Sequence, residues 1–471
     1  MKITAFHVGS PLEKVKQTIN KVLPSKDKPK EQSYPHTFKG GIHPDEYKEL
    51  TNTVPVIEIE TPDILICPVA QHIGAPAQPC VKVGDEVKMG QKIAEAAGFV
   101  SANIHSPVSG KVMAIEPRMH PSGVMVPSII IENDRQDTPD DAIHKRDWKS
   151  LSPKELTDII SESGIVGMGG ATFPTHVKLT PPKDKKIDYI IINGAECEPF
   201  LTSDHRVLLE NTADVLQGLK IMMKILGLSV GYIAIEDNKP DAIARLMEFA
   251  EKEDADIRVV PLKTKYPQGS EKQLISAIAH REVPPGKLPS DVGVVVNNID
   301  TCATVARAVT SGMPLISRIV TVSGDCVKYP SNFKVRFGTP FSYLFEKAGG
   351  FEKEPVKIIM GGPMMGTAVS SPEVPVIKGT SGILAFSREM IAQNQQDTCL
   401  RCGKCVSACP MRLMPNALNA AAKADNYEKL EKLHIMDCME CGTCSYLCPA
   451  RQHPVQSIKI AKTKMNQRKK A

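Results

Sequence analysis

Hydrophobic positions follow a repeated strand and helix pattern in the middle of the chain. Runs of apolar, β-branched residues alternate with segments whose apolar residues recur at helical spacing. Such alternation predicts βαβ units, and therefore a parallel sheet flanked by helices. The predicted strands are 189–193, 230–235 and 257–261, and the predicted helices are 208–226 and 241–253.

The pattern differs on both sides of this segment. Between residues 54 and 133 short alternating runs are separated by glycine, proline and aspartate, which indicates short antiparallel strands. Towards the C-terminus, residues 416–424 and 427–436 are rich in Ala, Leu, Lys and Glu, and Asp425 and Asn426 lie at the break between them. These two segments predict helices.

Composition and charge exclude several classes of protein. The 471 residues exceed one compact domain, and 42% hydrophobic with 24% charged residues is ordinary globular composition. The formal charge is only +5, from 58 basic and 53 acidic residues, which is too small an excess of positive charge to indicate nucleic-acid binding. No run reaches the ~18 apolar residues of a membrane span, and the first residues lack the apolar core of a secretory signal. We therefore expect a cytoplasmic location, where thirteen cysteines point to metal or redox chemistry rather than disulfides.

Eight of the cysteines form two copies of one motif, CxxCxxCxxxCP. Three closely spaced thiolates can hold one face of a four-iron cluster, while the fourth, before proline, reaches a second cluster. Zinc sites also use CxxC pairs, but in pairs rather than as triplets followed by Cys-Pro. We predict two [4Fe–4S] clusters, one on Cys399, Cys402, Cys405 and Cys448, the other on Cys438, Cys441, Cys444 and Cys409.

A glycine-rich loop precedes the first strand of the α/β segment. Residues 164–174 read GIVGMGGATFP, and their bare backbone amides are suited to cradling a phosphate. The loop departs from GxGxxG and comes before a strand, so the dinucleotide fingerprint does not apply. A tight turn that needs glycine for its backbone angles explains the loop equally well.

Two carboxylates follow the strand at 189–193. The carboxyl end of a parallel strand is where open α/β sheets bind ligands. If the chain stays extended there, Glu196 and Glu198 point the same way and can reach ribose hydroxyls or a nicotinamide amide. A solvated acidic loop is the alternative.

Four separated segments, 163–178, 193–199, 266–271 and 297–301, resemble the flavin and NADH site of the NADH-oxidising subunit of respiratory complex I. Two positions depart from that pattern, since Met168 replaces an arginine and Thr172 a glycine. The resemblance implies FMN as a cofactor and NAD(H) as a substrate, with Glu196 and Glu198 nearest the nicotinamide. The residues it implies around FMN are Gly167, Gly169, Gly170, Lys178, Asn193, Tyr266, Gly269, Glu271, Asn297, Asn298 and Thr301.

Two further modules carry resemblances of their own. The strands of 54–133 resemble a biotinyl or lipoyl carrier domain, but Phe99 takes the place of the modified lysine, so we expect a structural sandwich. Residues 316–350 resemble the β-grasp domain that follows the flavin domain in complex I. The isolated cysteines Cys67, Cys80, Cys302 and Cys326 are expected to be small buried residues, and Cys197 is notable because it lies inside the proposed flavin turn.

Over nearly its entire length the chain is similar to the C subunit of the Rnf membrane complex. Residues 38–43 (FKGGIH) and 68–76 (PVAQHIGAP) fit that family too. The resemblance implies electron exchange between ferredoxin and NAD that is coupled to Na⁺ or H⁺ transport. It implies integral membrane and iron–sulfur partner subunits, and a peripheral position on the cytoplasmic face of the membrane.

Two alternatives remain. Cobalamin reductases of propanediol-utilising microcompartments contain similar modules, but their sandwich follows the clusters, whereas here it comes first. A wiring or docking subunit without a working flavin site is the other alternative. FMN content and NADH reduction of an artificial acceptor, assayed on the anaerobically reconstituted chain, separate these possibilities, and clusters without either would leave only the wiring role.

The predicted fold class is thus multidomain, α+β and α/β. Its parts are a flexible extension (1–36), a barrel-sandwich domain (37–136), a Rossmann-like α/β FMN and NADH domain (137–312), a β-grasp or SLBB-like domain (313–378), a helical two-cluster domain (379–455) and a solvated basic tail (456–471).

Overall fold

A computed structural model describes residues 36–391 and 396–470. Nearly all of the predicted N-terminal extension lies outside the described residues. The rest contains four sheets and a C-terminal helical unit, which confirms the predicted multidomain α+β and α/β class.

The first module is a sandwich of two small antiparallel sheets. Their orders are β2-β8-β7-β4 and β3-β5-β6, and Leu65, Ile93 and Ile129 are fully buried between them. A preceding strand, β1, belongs to a later sheet. The strands are β1 (Ile57–Glu58), β2 (Ile64–Pro68), β3 (Gln78–Pro79), β4 (Glu86–Val87), β5 (Lys92–Glu95), β6 (Ile104–His105), β7 (Gly110–Met119) and β8 (Met125–Asn133).

The second module is the expected parallel α/β sheet, in the order β11-β10-β9-β12. The single helix predicted over 208–226 is wrong, because Asn211 leaves helical geometry (φ −121°, ψ 31°) and divides it in two. The strands are β9 (Tyr189–Gly194), β10 (Val230–Glu236), β11 (Asp256–Leu262) and β12 (Val294–Asn298). The helices are α1 (Pro153–Glu162), α2 (Thr175–Lys178), α3 (Ser203–Glu210), α4 (Thr212–Leu226), α5 (Pro240–Ala250), α6 (Glu271–Ala279) and α7 (Ile299–Ser311).

The third module is a mixed six-stranded sheet in the order β1-β14-β13-β17-β15-β16. It recruits β1 from the N-terminal segment, paired in parallel with β14, and it takes in β17, which lies beyond residue 378. Its elements are β13 (Ser317–Ser323), β14 (Ser331–Arg336), α8 (Phe341–Lys347), β15 (Lys357–Met360), β16 (Thr367–Val369) and β17 (Gly382–Phe386).

The C-terminal module is helical, as predicted between the cysteine runs. Its small core includes Leu418, Leu430 and Ile435. Short 3₁₀ turns at Lys48–Leu50, Pro289–Val292 and Ile435–Asp437 complete the described elements. The helices are α9 (Lys404–Ser407), α10 (Pro415–Lys423), α11 (Tyr427–Lys432), α12 (Thr443–Tyr446) and α13 (Pro454–Lys470).

The prediction of a solvated basic tail is wrong. Ile458, Ala461 and Met465 of α13 are at most 4% exposed and pack into the helical core. Their i, i+3, i+7 spacing forms one apolar stripe that the many lysines of the segment obscure in sequence. The tail is therefore part of the fold.

The isolated cysteines differ in how deeply they are buried. Cys67, Cys302 and Cys326 are buried as expected, whereas Cys80 is exposed beside the two-residue strand β3, so the expectation for Cys80 is wrong. So short a strand provides no second layer to cover it. Among helices of the described residues, none is long and apolar enough to cross a membrane.

Candidate functional site

The glycine-rich loop is a closed turn whose tip faces solvent. Val166 bridges Pro174, and the Gly167 amide donates to the Phe173 carbonyl at 2.8 Å. Gly169 and Gly170 at the tip are exposed. Gly170 has φ +86°, and a Cβ there would meet nothing within 4 Å. The loop therefore presents bare backbone to open space.

The base of this loop is fixed to the start of α7. The Met168 amide donates to Thr301 Oγ1 at 2.8 Å, and buried Arg318 donates to the Met168 carbonyl at 3.0 Å. At Gly169 a Cβ would lie 2.9 Å from Nδ2 of Asn298. The structural explanation therefore applies to both glycines, since Gly169 is closely approached by Asn298 and Gly170 adopts a left-handed turn. Phosphate binding by the loop stays a prediction.

Two neighbouring asparagines at the end of β12 have different surroundings. Asn298 Oδ1 accepts from the amides of Asp300 and Thr301, at 2.9 and 3.3 Å, and so caps α7. Its Nδ2 donates to Asp204 at 2.6 Å. Asn297 is 3% exposed, yet within the described residues neither its Oδ1 nor its Nδ2 has a partner. Buried polar groups are normally hydrogen-bonded, so this side-chain amide has one donor group and one acceptor group available to a ligand.

Lys178 and Glu271 meet beside the same strand end. Lys178 Nζ donates to Glu271 Oε1 and to the Val296 carbonyl, each at 3.0 Å. Across from them, Asn193 Nδ2 donates to the Gly269 carbonyl at 2.8 Å. Residues from four separate segments are thereby placed at the carboxyl edge of one parallel sheet.

Cys197 also belongs to this edge. Its Sγ accepts from the Gly269 amide at 3.3 Å, and burial raises the pKa of its thiol. The group is therefore a neutral packing and hydrogen-bonding residue at physiological pH.

Glu196 and Glu198 do not point the same way, so that expectation is wrong. Glu196 adopts φ +48°, which turns the chain out of the extended conformation. Its carboxylate accepts from the amides of Asp204 and His205, at 2.6 and 3.3 Å, at the start of α3. A carboxylate there is stabilised by the helix dipole.

Glu198 faces the third sheet instead. Its two oxygens accept from the amides of Met364 and Met365, at 3.0 and 2.9 Å, in the β15–β16 turn. Burial raises the pKa of its carboxyl to about 7, partly offset by these amides. Glu198 therefore holds two modules together at the place where a nicotinamide contact was expected.

Three charged residues of this region carried no local signal in the sequence. Lys48 is buried and donates to the carbonyls of Glu196, Glu198 and Leu201, at 2.8, 2.9 and 2.6 Å. Burial, then the charges of Glu196 and Asp300, raises the pKa of Asp204 to about 8. Arg318 supplies the nearby positive charge. Each is separated from its main contacts by many residues, so only the tertiary structure reveals it.

The second cysteine run is joined by one member of the first. Cys409, Cys438, Cys441 and Cys444 line one pocket, as the crossed pattern requires. The remaining lining is mostly apolar and includes Met411, Leu418, Val455 and Ile458. Amides approach two of the sulfurs, from Leu413 to Cys409 and from Glu440 to Cys438, both at 3.4 Å.

The first run is more open. Cys399 and Cys402 are exposed, whereas Cys441 and Cys444 are buried. Burial and, to a smaller extent, the neighbouring Cys399 and Cys402 raise the pKa of the Cys405 thiol, so these three lie together. The Ala450 carbonyl accepts from the Asp397 amide at 3.1 Å. This hydrogen bond brings the segment just before Cys399 close to the segment just after Cys448. Within the described ranges, no three His, Cys, Asp or Glu side chains are placed to hold a single metal ion.

Four family models match the chain in the order of its modules. Residues 36–136 match the RnfC barrel sandwich hybrid domain, and 160–307 the Nuo51 FMN-binding domain. Residues 319–368 match the SLBB domain, and 391–449 a 4Fe-4S dicluster domain. The sandwich comes first and the cysteine runs last.

Curated relatives extend over the whole arrangement. The C subunit of the proton-translocating ferredoxin:NAD(+) oxidoreductase complex of Clostridium ljungdahlii is 49% identical over 91% of this chain and 93% of its own length. The chain belongs to this family of C subunits. The Na(+)-translocating counterpart from Acetobacterium woodii is 47% identical, over 90% of this chain and 96% of its own. The C subunit of the Rhodobacter capsulatus ion-translocating complex is 42% identical, over 92% and 84%.

Membership of this family confirms the resemblance seen in sequence. It also agrees with the predicted domain types, since flavin-binding and iron–sulfur domains are both matched. The sandwich match precedes the dicluster match, which is the reverse of the order expected for a cobalamin reductase.

The residues present suit both cofactors. For a flavin, the sheet edge provides an exposed glycine turn, a lysine, and the unpartnered amide of Asn297. For a four-iron cluster, the C-terminal pocket provides four thiols with apolar walls and amides directed at sulfur.

Proposed function

We propose that this chain exchanges electrons with NAD(H) through FMN and two [4Fe–4S] clusters. It would do so as a peripheral subunit on the cytoplasmic face of a membrane complex. That complex would couple electron flow between ferredoxin and NAD to Na⁺ or H⁺ translocation, and integral membrane and iron–sulfur subunits would be the partners. The observation that carries the proposal is the meeting of Cys409 with Cys438, Cys441 and Cys444 beside the sheet edge of the flavin-type domain.

The cysteine pocket supports cluster binding through its donor set. Four thiols meet there, from Cys409, Cys438, Cys441 and Cys444, and the remaining lining is mostly apolar. Iron, when bound, would hold these sulfurs as thiolates. We assign the second site to Cys399, Cys402, Cys405 and Cys448, and the exposure of Cys399 and Cys402 suits electron exchange with another subunit.

The sheet edge supports flavin binding. FMN, when bound, accepts a hydride from a nicotinamide and releases electrons singly. The exposed Gly169 and Gly170 would offer backbone amides to its phosphate, and Lys178, paired with Glu271, lies at the same sheet edge. Asn297 offers one donor and one acceptor to the flavin. The side chains of Glu196 and Glu198 face α3 and the β15–β16 turn, so we assign them to shaping the site.

NAD(H) as substrate and the membrane partners rest on the family. Two of the relatives named above are subunits of ferredoxin:NAD(+) oxidoreductase complexes, and all three belong to ion-translocating complexes. None of the described helices suits a membrane span, which is why we assign ion transport to partner subunits.

Cofactor analysis of the anaerobically purified chain tests the proposal. We expect iron and sulfide for two four-iron clusters, stoichiometric FMN, and NADH-dependent reduction of an artificial acceptor. Clusters without flavin or NADH activity would leave only a wiring role. Zinc or disulfides in place of iron would refute the proposal altogether.

A further inference from the structure

Tyr266 joins the flavin-type domain to the buried cysteine pocket. Its hydroxyl donates to the backbone carbonyl of Cys441 at 2.7 Å. The residue is 1% exposed and packs in one cluster with Ile42, Ala408 and Cys441. The sequence placed Tyr266 only among flavin neighbours, but its hydroxyl lies 2.7 Å from the Cys441 carbonyl of the second run and 3.4 Å from Glu198 Oε1.

The backbone of Tyr266 makes a second connection, through an N-terminal strap at residues 38–42. Ile42 and Tyr266 exchange two backbone hydrogen bonds, of 2.8 and 2.9 Å. One residue earlier, the Gly41 amide donates to the carbonyl of Ala408 at 2.8 Å, immediately before Cys409. The strap therefore lies between the flavin-type domain and Cys409, the cysteine of the first run that lies in the pocket of the second run.

Glycines of the strap are required by this close packing. A Cβ at Gly41 would lie 2.6 Å from the Tyr266 carbonyl oxygen, and one at Gly40 would lie 3.0 Å from that of Cys409. Both residues also have φ near +80° to +90°. This explains two adjacent glycines in a segment that has no other apparent role.

A third contact to the cysteine pocket comes from Gln273, which follows Tyr266 in the same segment of the chain. Gln273, in the first turn of α6, donates through Nε2 to the carbonyl of Pro410 at 3.1 Å. The residues on both sides of Cys409 are thus held, Ala408 by Gly41 of the strap and Pro410 by Gln273. Cys441, on the opposite run, is tied to the Tyr266 side chain.

We propose that Tyr266 is a positioning residue for electron transfer between the flavin site and the Cys409, Cys438, Cys441 and Cys444 cluster. Its hydroxyl holds Cys441 of the second run, and its backbone contact with the strap holds the residue before Cys409 of the first run. Both sides of the pocket are thereby fixed relative to the sheet edge. The hydroxyl dipole directed at the Cys441 carbonyl would make the surroundings of a bound cluster more electropositive, which would favour its reduced form. Hydrogen bonds around a cluster are a recognised determinant of its potential. This inference rests on the proposed function.

Tyr266→Phe tests the inference, since it removes one hydroxyl and keeps the buried ring. Tyr343→Phe is the matched control, because its hydroxyl donates to the Glu60 carbonyl at 3.0 Å in an exposed position far along the chain from either cysteine run. Both variants are purified anaerobically as full chains, and rates are normalised to their iron and flavin contents.

Two readouts are followed. In redox titrations monitored by EPR, we expect Tyr266→Phe to lower the potential of one cluster signal and leave the other unchanged. In stopped-flow mixing with NADH, we expect slower bleaching of the cluster absorbance. Selective loss of iron from one cluster in a folded Tyr266→Phe protein would equally support a positioning role.

Potentials and bleaching rates equal to wild type in Tyr266→Phe would overturn the inference, as would equal shifts in Tyr343→Phe. A wild-type chain without clusters or flavin would instead refute the proposed function, so the two failures are distinguishable.

Discussion

Asn297 and Asn298 are adjacent at the end of β12, yet of their two side chains only that of Asn298 is hydrogen-bonded within the described residues. Asn298 caps α7 and holds Asp204, while both amide atoms of buried Asn297 are unpartnered in the described part of the chain. Successive side chains of a strand point to opposite faces, which separates the two roles. One asparagine belongs to the fold and the other is available to a ligand.

Substituting these two residues should separate binding from stability. Asn297→Leu removes no hydrogen bond, so we expect a change in the free energy of unfolding within about 0.5 kcal/mol and a clear loss of bound FMN. Asn298→Ala should cost about 1 kcal/mol or more through the lost cap. Flavin fluorescence after release and denaturant melts measure the two effects. An Asn297→Leu protein with full flavin would remove this residue from the site.

Replacing the crossing cysteine should empty one cluster site. In Cys409→Ser we expect the iron content to fall by about half, because one of four thiolate ligands of a single cluster is lost. Cys80→Ser is the control, since Cys80 is exposed and outside both runs. Iron and sulfide assays on anaerobic protein give the result. Unchanged iron in Cys409→Ser would contradict the crossed assignment.

Lys378 should make stability depend on pH. It is fully buried and donates to the carbonyls of Asn103 and Gly164, at 2.6 and 2.8 Å, where the sandwich meets the glycine-rich loop. Burial lowers the pKa of its amine from 10.5 to about 7. Above pH 7 the folded state therefore binds fewer protons than the unfolded chain. Its free energy of unfolding should rise with pH until the unfolded amine also loses its proton.

Lys378→Met tests this linkage. The variant should lose that rise between pH 7 and 10.5, the two pKa values of Lys378. It should also be less stable by about 1 to 3 kcal/mol for each carbonyl left without a donor. Lys287→Met, at an exposed lysine, should behave as wild type. Denaturant midpoints across the pH range provide the measurement, and parallel curves for Lys378→Met and wild type would contradict the assignment.

Two glycines allow backbone strain to be separated from steric overlap. Gly84 and Gly41 have φ of +94° and +79°, but a Cβ at Gly84 meets nothing within 4 Å, whereas one at Gly41 meets the Tyr266 carbonyl. Gly84→Ala should cost about 1 kcal/mol from the left-handed backbone alone. Gly41→Ala should cost about 1 to 3 kcal/mol more, from overpacking. Equal losses of stability in denaturant melts would show that the strap is loosely packed.

The sequence by itself determined the features that depend on local spacing. The two CxxCxxCxxxCP runs, the βαβ alternation and the glycine-rich loop are each encoded within a few dozen residues, and they pointed to the module types and to the family. Cysteine spacing and hydrophobic period act over short distances, so they can be read without a structure.

Only the tertiary structure decided how these parts meet. The positive φ of Glu196 turns it and Glu198 to different modules, and the lysines of α13 conceal the apolar stripe that packs in the core. The contact of Tyr266 with Cys441 joins residues 175 positions apart. Contacts at such separations depend on how whole modules pack, and no local pattern in the chain specifies them.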